Sequence, residues 1–326
     1  MKNKLNYSLR LSIIDKCTFA CKYCPNSTNM ENFCPEKIRE NKLNVEEFKE
    51  ILTKILDKYE FTKIVITGGE PLLSNNLVEI LRLLKQYNNK IELDTNGSLF
   101  SYEIWEQIKN YIDGVKVSLD SLNPEVFDNL TNNKNPNTLS NIKNLMDVAI
   151  SDNIPVTINC VYTKFNKNDV LDVIKFAIEK NINISILDLY YTIETRDFWK
   201  KNFIDIAILE KELESIYGNI KTDDAYGCQF KYIFYNEKNY IKFKSSNSST
   251  MRDKKCEECE NYCQEGMFSL RLSCQGWATT CQLNESNGFL LTNNISRLEE
   301  LIDRLNNASL DSTSFENMLK IHKLER

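Results

Sequence analysis

Residues 7–24 read YSLRLSIIDKCTFACKYC. Tyr7–Ile14 alternates apolar with polar side chains, the period of a half-buried strand, and Cys17, Cys21 and Cys24 follow it directly. The same rhythm continues downstream. Lys63–Thr67, Ile91–Asp94, Gly114–Leu119, Pro155–Val161 and Ile182–Leu189 read as short strands. Between them, apolar residues fall at helical spacing over Val45–Leu56, Leu77–Leu84, Tyr102–Lys109, Asn137–Ile150 and Asp169–Ile178. Strand–helix alternation implies parallel, right-handed βαβ units. Six such strands are fewer than the eight of a closed barrel, so the expected core is an α/β fold, a partial (β/α)6 TIM-like barrel.

The rhythm breaks near residue 195. A helix over Ile204–Tyr217 is expected, then a hairpin within Gln229–Lys244 turning at Asn236–Asn239, and a polar loop at 245–255. Ile295, Leu298, Leu301, Ile302 and Leu305 mark a last amphipathic helix. The expected division is a core at residues 1–220 and a small α+β subdomain at 221–326.

Composition narrows the chemistry. The chain has 326 residues, 42% hydrophobic and 27% charged, with 41 Lys plus Arg against 46 Asp plus Glu, a net charge of −5. That balance excludes phosphate-driven, sequence-independent nucleic-acid binding. No apolar run is long enough to span a bilayer, and Arg10 and Asp15 interrupt any signal-peptide core, so the expected location is the cytoplasm and no membrane partner is expected. The single histidine, His322, argues against a Ser-His-Asp triad or a His-ligated zinc hydrolase.

Eleven cysteines without an export signal read as metal ligands before disulfides. Cys34, Cys160 and Cys228 are scattered, as buried small hydrophobes are. Cys17, Cys21 and Cys24 are not: three closely spaced thiolates can hold three irons of a [4Fe–4S] cube and leave the fourth open. An open iron can take the amino and carboxylate groups of S-adenosylmethionine (SAM), and one electron then releases a 5′-deoxyadenosyl radical. The competing reading is a zinc knot completed by Cys34, or a plain ferredoxin cluster.

RLSIIDKCTFACKYC strongly resembles the radical SAM superfamily, and its molybdenum-cofactor branch of GTP 3′,8-cyclases in particular. Three further stretches agree in order and spacing, each at the end of an expected strand: Thr67-Gly68-Gly69-Glu70-Pro71, Asp94-Thr95-Asn96-Gly97 and Val117-Ser118-Leu119-Asp120-Ser121. The C-terminal edge of the strands is where a β/α barrel holds its site. The resemblance implies that Cys17, Cys21 and Cys24 hold the cluster. It places Tyr23 against the adenine, Gly68, Gly69, Glu70 and Pro71 around the methionyl amino group, and Thr95, Ser118 and Asn159 along the rest of SAM. Leu189, or Tyr190, would pack on the adenine. For Asn159 and Leu189, ordinary strand-end bonding and core packing compete with those roles. Glu70, Asp94, Asp120 and Asp188 could relay protons or simply fix loops and cap helices.

The second cysteine group, Cys256-x2-Cys259-x3-Cys263 followed by Gly276-x4-Cys281, resembles the auxiliary-cluster hairpin of the cyclases and of twitch/SPASM modules. It implies a second [4Fe–4S] cluster held by Cys259, Cys263 and Cys281, with Cys256 close behind. Cys274 would lie in the hairpin turn, outside the ligand set. A structural zinc is the alternative.

Arg10 and Arg271 match basic, substrate-binding positions of the cyclases. Val65, Thr157 and Ser269 stand where that branch has cations, Met267 aligns with a ligand cysteine, and the Gly-Gly tail is replaced by Lys323-Leu324-Glu325-Arg326. The implied activity is therefore a radical SAM enzyme acting on a different small molecule, nucleotide or peptide, reduced by a carrier such as flavodoxin or ferredoxin. GTP cyclisation and a non-catalytic electron carrier or sensor are the alternatives.

Overall fold

The computed structural model describes residues 2–24, 38, 40, 43–192, 194–218, 220–225, 228–245, 248–257, 266–281, 287–292 and 294–311. The strands, in chain order, are β1 (Asn3–Lys4), β2 (Ser8–Ser12), β3 (Tyr59–Glu60), β4 (Lys63–Thr67), β5 (Lys90–Thr95), β6 (Gly114–Ser118), β7 (Val156–Tyr162) and β8 (Asn183–Asp188). There follow β9 (Lys221–Ala225), β10 (Cys228–Phe234), β11 (Tyr240–Lys244), β12 (Thr250–Arg252), β13 (Ser269–Ser273), β14 (Trp277–Thr279), β15 (Gly288–Leu290) and β16 (Ser309–Asp311). The helices are α1 (Val45–Lys58), α2 (Leu77–Leu84), α3 (Tyr102–Ile108), α4 (Pro124–Thr131), α5 (Thr138–Ser151), α6 (Val170–Glu179), α7 (Arg196–Asn202), α8 (Ala207–Tyr217), α9 (Lys254–Glu257) and α10 (Leu298–Asn306).

The six expected strands, β2 and β4 to β8, lie side by side and parallel in chain order. Both edges are then extended by the last third of the chain. β13 runs parallel beside β2, with Arg271 opposite Arg10, and β11 runs parallel beside β8, with Lys244 opposite Leu187. The parallel array among the described residues is thus eight strands wide, flanked by antiparallel strands at each end.

One face of the array packs on helices. Leu9, Leu11, Ile64, Ile66, Ile91, Leu93, Val115, Val117, Ile158 and Ile184 on the strands meet Leu52, Ile55, Leu81, Ile142 and Ile174 on the helices, all within one buried cluster. α1 shows the sequence logic: Asn44 accepts the Glu47 N–H, Glu47 returns a bond to the Asn44 N–H, and Phe48, Ile51, Leu52, Ile55 and Leu56 form the buried stripe. The other face is polar and charged. Its registered positions, Arg10, Val65, Glu92, Asp94, Lys116 and Thr157, carry a chain of ion pairs: Lys63–Glu92 at 2.8 Å, Lys116–Glu92 at 2.7 Å and Arg10–Asp94 at 3.2 Å.

Several expectations need correcting. The polar stretch at 245–255 is not only a loop, because Thr250–Arg252 forms β12 against β10 and β16. The helix expected from Ile204 begins at Ala207 and is preceded by α7, whose Trp199 is fully buried. α4 was not expected, although Asn123-Pro124 supplies both a cap for the Glu125 N–H and a proline in the first turn. The hairpin turning at Asn236–Asn239 is present as β10–β11.

Candidate active site

Four loops meet at the C-terminal ends of the parallel strands around a cavity of about 770 Å³. It is lined by Cys17, Cys21, Cys24 and Tyr23 from the loop after β2, and by Thr67 at the end of β4 with Gly68 and Gly69 after it. Asp94 and Thr95 at the end of β5 with Asn96 after it, Ser118 at the end of β6 with Asp120 after it, and Asn159 on β7 complete that side. Leu187, Asp188, Tyr190, Lys244 and Ser245 form the wall opposite. The volume lies in the range of small-molecule sites.

The cysteine loop is held on every side. Its Ala20 and Lys22 N–H groups donate to the last carbonyls of α4, Thr131 at 3.0 Å and Leu130 at 2.9 Å, satisfying helix-end acceptors that would otherwise face water. The rings of Phe19 and Phe127 meet edge-on at 5.8 Å. The backbone of the loop after β4 donates from Gly69 to the Ile14 carbonyl (2.8 Å) and from Glu70 to the Lys16 carbonyl (2.9 Å). That approach is why Gly69 is glycine: a Cβ there would lie 2.0 Å from the Lys16 carbonyl oxygen. Gly68 has φ +148° and its Cβ would lie 2.5 Å from the Ile14 oxygen. The two glycines admit the cysteine loop, and both also line the cavity where the sequence had pointed to ligand contact.

Glu70 and Pro71 do not line the cavity. Glu70 is completely buried and acts as a clamp: its Oε1 accepts from the Leu72 N–H (2.9 Å) and the Thr95 hydroxyl (2.6 Å), and its Oε2 accepts the Asn96 N–H (2.8 Å). Burial raises its pKa, and these bonds oppose the rise. Pro71 opens the short turn Pro71–Leu73 that Glu70 caps. Tyr23 donates its hydroxyl to Asp120 Oδ2 at 2.5 Å, and Asp120 Oδ1 accepts the Val161 N–H at 2.8 Å. Burial pushes the Asp120 carboxyl up to about 6, against the pull of those two bonds. Asp120 therefore fixes the cysteine loop to β6 and β7.

Leu189 also lies outside the lining set. It packs with Tyr191, Trp199 and Phe203, and its carbonyl accepts the Trp199 indole N–H at 3.0 Å. Of the two alternatives after β8, Tyr190 lines the cavity. Arg10 and Arg271 sit side by side lower on the charged face, and neither lines the cavity. Arg10 pairs with Asp94, and the buried Arg271 lies over the Phe268 ring, which Lys244 also faces. Lys244 and Ser245 were missed. The alternation of Tyr240-Ile241-Lys242-Phe243-Lys244 showed a polar face, but nothing local showed that this strand lies beside β8.

The residues present fit an iron–sulfur cube. Three cysteines outside any disulfide, held on one braced loop, face one end of a cavity with room beyond them. Burial and the neighbouring Asp120 push the Cys21 thiol well above its ordinary range, so a metal centre forming there displaces protons.

The second cysteine group is only partly visible, since Cys259 and Cys263 lie outside the described residues, as do Cys34 and His322. Cys256 is on α9, where its thiol is 3.4 Å from Asp253 Oδ1, and Asp253 pairs with Arg304 at 2.6 Å. Cys281 follows β14 and donates its N–H to Thr279. Met267 is buried, its sulfur 3.5 Å from the Thr280 hydroxyl and 3.6 Å from an Arg304 nitrogen. Cys274 lies in the β13–β14 turn, as expected, and its neighbour Gln275 reaches Asp15 Oδ2 in the first loop at 3.5 Å. Among the described residues no set of three or more His, Cys, Asp and Glu is grouped closely enough for a single metal ion, the trio Cys17, Cys21 and Cys24 included; a cube asks less of them, because each thiolate binds a different iron. No helix among those residues is long and apolar enough to cross a membrane.

A family model described as the radical SAM superfamily matches residues 11–177, just over half of the chain. The chain is 31% identical over 233 residues to the probable GTP 3′,8-cyclase of Methanocaldococcus jannaschii, covering 69% of this chain and 72% of that protein. It is 25% identical over 301 residues to the GTP 3′,8-cyclase of Crocosphaera subtropica, covering 87% and 83%. Among solved structures, Streptococcus suis SuiB bound to S-adenosylmethionine superposes with a TM-score of 0.61 at 17% identity, over 85% of this chain and 60% of SuiB. AnSMEcpe with bound AdoMet gives 0.55 at 16% identity, over 92% of this chain and 81% of that chain. At those identities the likeness is one of fold.

Proposed function

The chain belongs to the radical SAM superfamily and is an enzyme of that family, and from that premise we propose that Cys17, Cys21 and Cys24 hold its [4Fe–4S] cluster and that the cavity beside them takes SAM and a substrate. The observation that carries this is the convergence of the three cysteines with Gly68, Gly69, Thr95, Ser118 and Asn159 on one cavity. Held by Cys17, Cys21 and Cys24, the cluster would supply the one-electron reduction that opens SAM to radical chemistry on a substrate. The chain's own part is positional. The Tyr23–Asp120 bond and the two α4 carbonyls fix the cysteine loop, and Glu70 locks the loops after β4 and β5 together. Ser118, Asn159 and Thr95 present polar groups to SAM, and Tyr190, Leu187, Asp188, Lys244 and Ser245 shape the opposite, substrate-facing wall.

The substrate in this reading is a small molecule, nucleotide or peptide other than GTP. A triphosphate needs several cations free to meet it. Here Val65, Thr157 and Ser269 supply none, Arg10 is engaged by Asp94 and Lys116 by Glu92, and the cavity carries Asp15, Asp94, Asp120 and Asp188 against Lys16 and Lys244. The names of the curated relatives favour the second reading, GTP 3′,8-cyclase.

We further propose a second [4Fe–4S] cluster at Cys256, Cys259, Cys263 and Cys281, in a C-terminal unit over residues 221–326. Support comes from the resemblance of that spacing to auxiliary-cluster hairpins and from Cys256 and Cys281 standing outside any disulfide. A low-potential carrier of the flavodoxin or ferredoxin type would deliver the electron, and the cytoplasm would provide it.

Anaerobic reconstitution, reduction and incubation with SAM test the proposal. 5′-Deoxyadenosine is expected, and its absence would leave the electron-carrier reading in place. Zinc without iron and sulfide would replace both. Conversion of added GTP would establish the cyclase reading instead.

A further inference from the structure

Two N–H groups reach the sulfur of Cys17: the backbone N–H of Phe19 at 3.4 Å, and the side-chain amide of Asn96 at 3.5 Å. The orientation of that amide is fixed by its surroundings. Asn96 Oδ1 accepts the Ser98 backbone N–H at 2.9 Å, and a backbone N–H can only donate, so the other arm must be the NH2 group. One of its hydrogens goes to the Thr18 hydroxyl at 3.1 Å, which leaves the second for the sulfur. Thr18 is pinned in turn by the Ser98 hydroxyl at 2.7 Å, and the Asn96 backbone by Glu70 at 2.8 Å. Asn96 is 8% exposed, so water competes little for these bonds.

A hydrogen bond to a cluster sulfur draws negative charge off the ligand and makes the cluster easier to reduce. We propose that Asn96 is a positioning residue that sets the reduction potential of the N-terminal cluster through its N–H bond to the Cys17 sulfur. The inference rests on the assignment of Cys17, Cys21 and Cys24 as cluster ligands. In the step concerned the cluster accepts one electron from a low-potential one-electron donor, which is oxidised, and no bond at Asn96 forms or breaks.

The test is a dithionite-poised redox titration followed by EPR, scoring only the signal that changes when SAM is added, so that a second cluster does not interfere. Wild type, Asn96→Ala, Asn96→Asp and Ser98→Ala are compared, with iron and sulfide content measured for each. Asn96→Asp keeps the shape and the acceptor for the Ser98 N–H but turns an oxygen toward the sulfur. Both Asn96 variants are expected to shift the midpoint to more negative potential, Asp further than Ala, while Ser98→Ala, which removes a neighbouring bond but not the donor, stays at the wild-type value. Equal midpoints in all four proteins overturn the inference alone. Loss of the cluster in both Asn96 variants makes the residue a structural clamp and also overturns it. A wild type with no SAM-responsive signal overturns the ligand assignment and the inference with it.

Discussion

The two cysteine-bearing regions are assembled in different ways. The first lies on a single loop of eight residues, and its hydrogen-bonded braces Asp120, Asn96, Glu70 and the end of α4 come from the loops and helix that follow the next three parallel strands of the same barrel, with Tyr23 also packed on the Leu189–Trp199 cluster. The second draws Cys256 from α9 and Cys281 from beyond β14, with Met267 between them in the chain and the Asp253–Arg304 pair beside Cys256. A ligand set carried by consecutive strand ends is assembled when the sheet forms. One spread over a helix and a hairpin needs tertiary docking first. Substitutions in the first region therefore act on chemistry and local geometry together.

The largest separation between the two regions is expected from removing their thiols. Cys17→Ala, Cys21→Ala, Cys24→Ala together should reduce 5′-deoxyadenosine formation to the level of protein-free controls. Cys256→Ala, Cys259→Ala, Cys263→Ala, Cys281→Ala together should lower bound iron yet leave SAM cleavage measurable, because Cys256 and Cys281, the two of that set among the described residues, do not line the cavity. Chromatographic quantification of 5′-deoxyadenosine beside iron analysis distinguishes the two. Continued cleavage by the first variant would remove the distinction altogether.

Next in size is a pair of glycine substitutions. Gly69→Ala places a methyl group 2.0 Å from the Lys16 carbonyl oxygen and 2.8 Å from the Cys17 nitrogen, both rigid backbone. The cysteine loop must move, at a cost of about 3 kcal/mol or more, and cluster loading should fall with stability. Gly276→Ala, in the hairpin of the second region, meets only the methyl ends of Leu43, Thr292 and Ile51 at 3.0 Å or more, at φ +81°. Its cost should be the left-handed penalty, about 1–2 kcal/mol, with iron loading at Cys17, Cys21 and Cys24 retained. Denaturant unfolding and iron content measured on both variants sharpen the comparison, and equal losses would erase it.

The same contrast governs what the sequence disclosed. The six central strands, the barrel class and the strand-end positions of the four motifs were legible because apolar periodicity and glycine-rich turns are local signals. The widening of the array to eight strands was not, because β11 and β13 join it through pairings more than 50 and 250 residues distant in the chain. For the same reason Lys244 escaped notice as a cavity residue. The close approach of Gly69 to the Lys16 carbonyl was not legible, since sequence does not show which neighbouring loop a glycine admits. The sequence left Leu189 and Tyr190 as alternatives, because the face on which each residue after β8 lies depends on Trp199, a side chain from an unexpected helix. Asn123-Pro124 could have disclosed α4, the element whose carbonyls hold the cysteine loop.

The smallest of the expected effects concerns what lies beneath the first region. Burial pushes the Glu92 carboxyl up, but Lys116 and Lys63 pull it further down, to about 2. Lys63 gives part of this back, since burial and the nearby Lys116 hold its own ammonium below the usual lysine range. A carboxylate whose pKa is depressed by folding stabilises the fold above its unfolded pKa, and that contribution is lost as pH falls toward the folded value. For Glu92 the window runs from about pH 4.5 down to about 2, and the amount lost is on the order of 2–3 kcal/mol. Glu92→Gln should therefore be less stable than wild type at pH 7 by about that much, and the gap should close as the pH is lowered through the window. Urea unfolding of both metal-free proteins at stepped pH reads the gap directly. If it stays constant down to pH 2, the pairing with Lys116 and Lys63 contributes only packing, and the first region is braced by its loops rather than by the charged face below them.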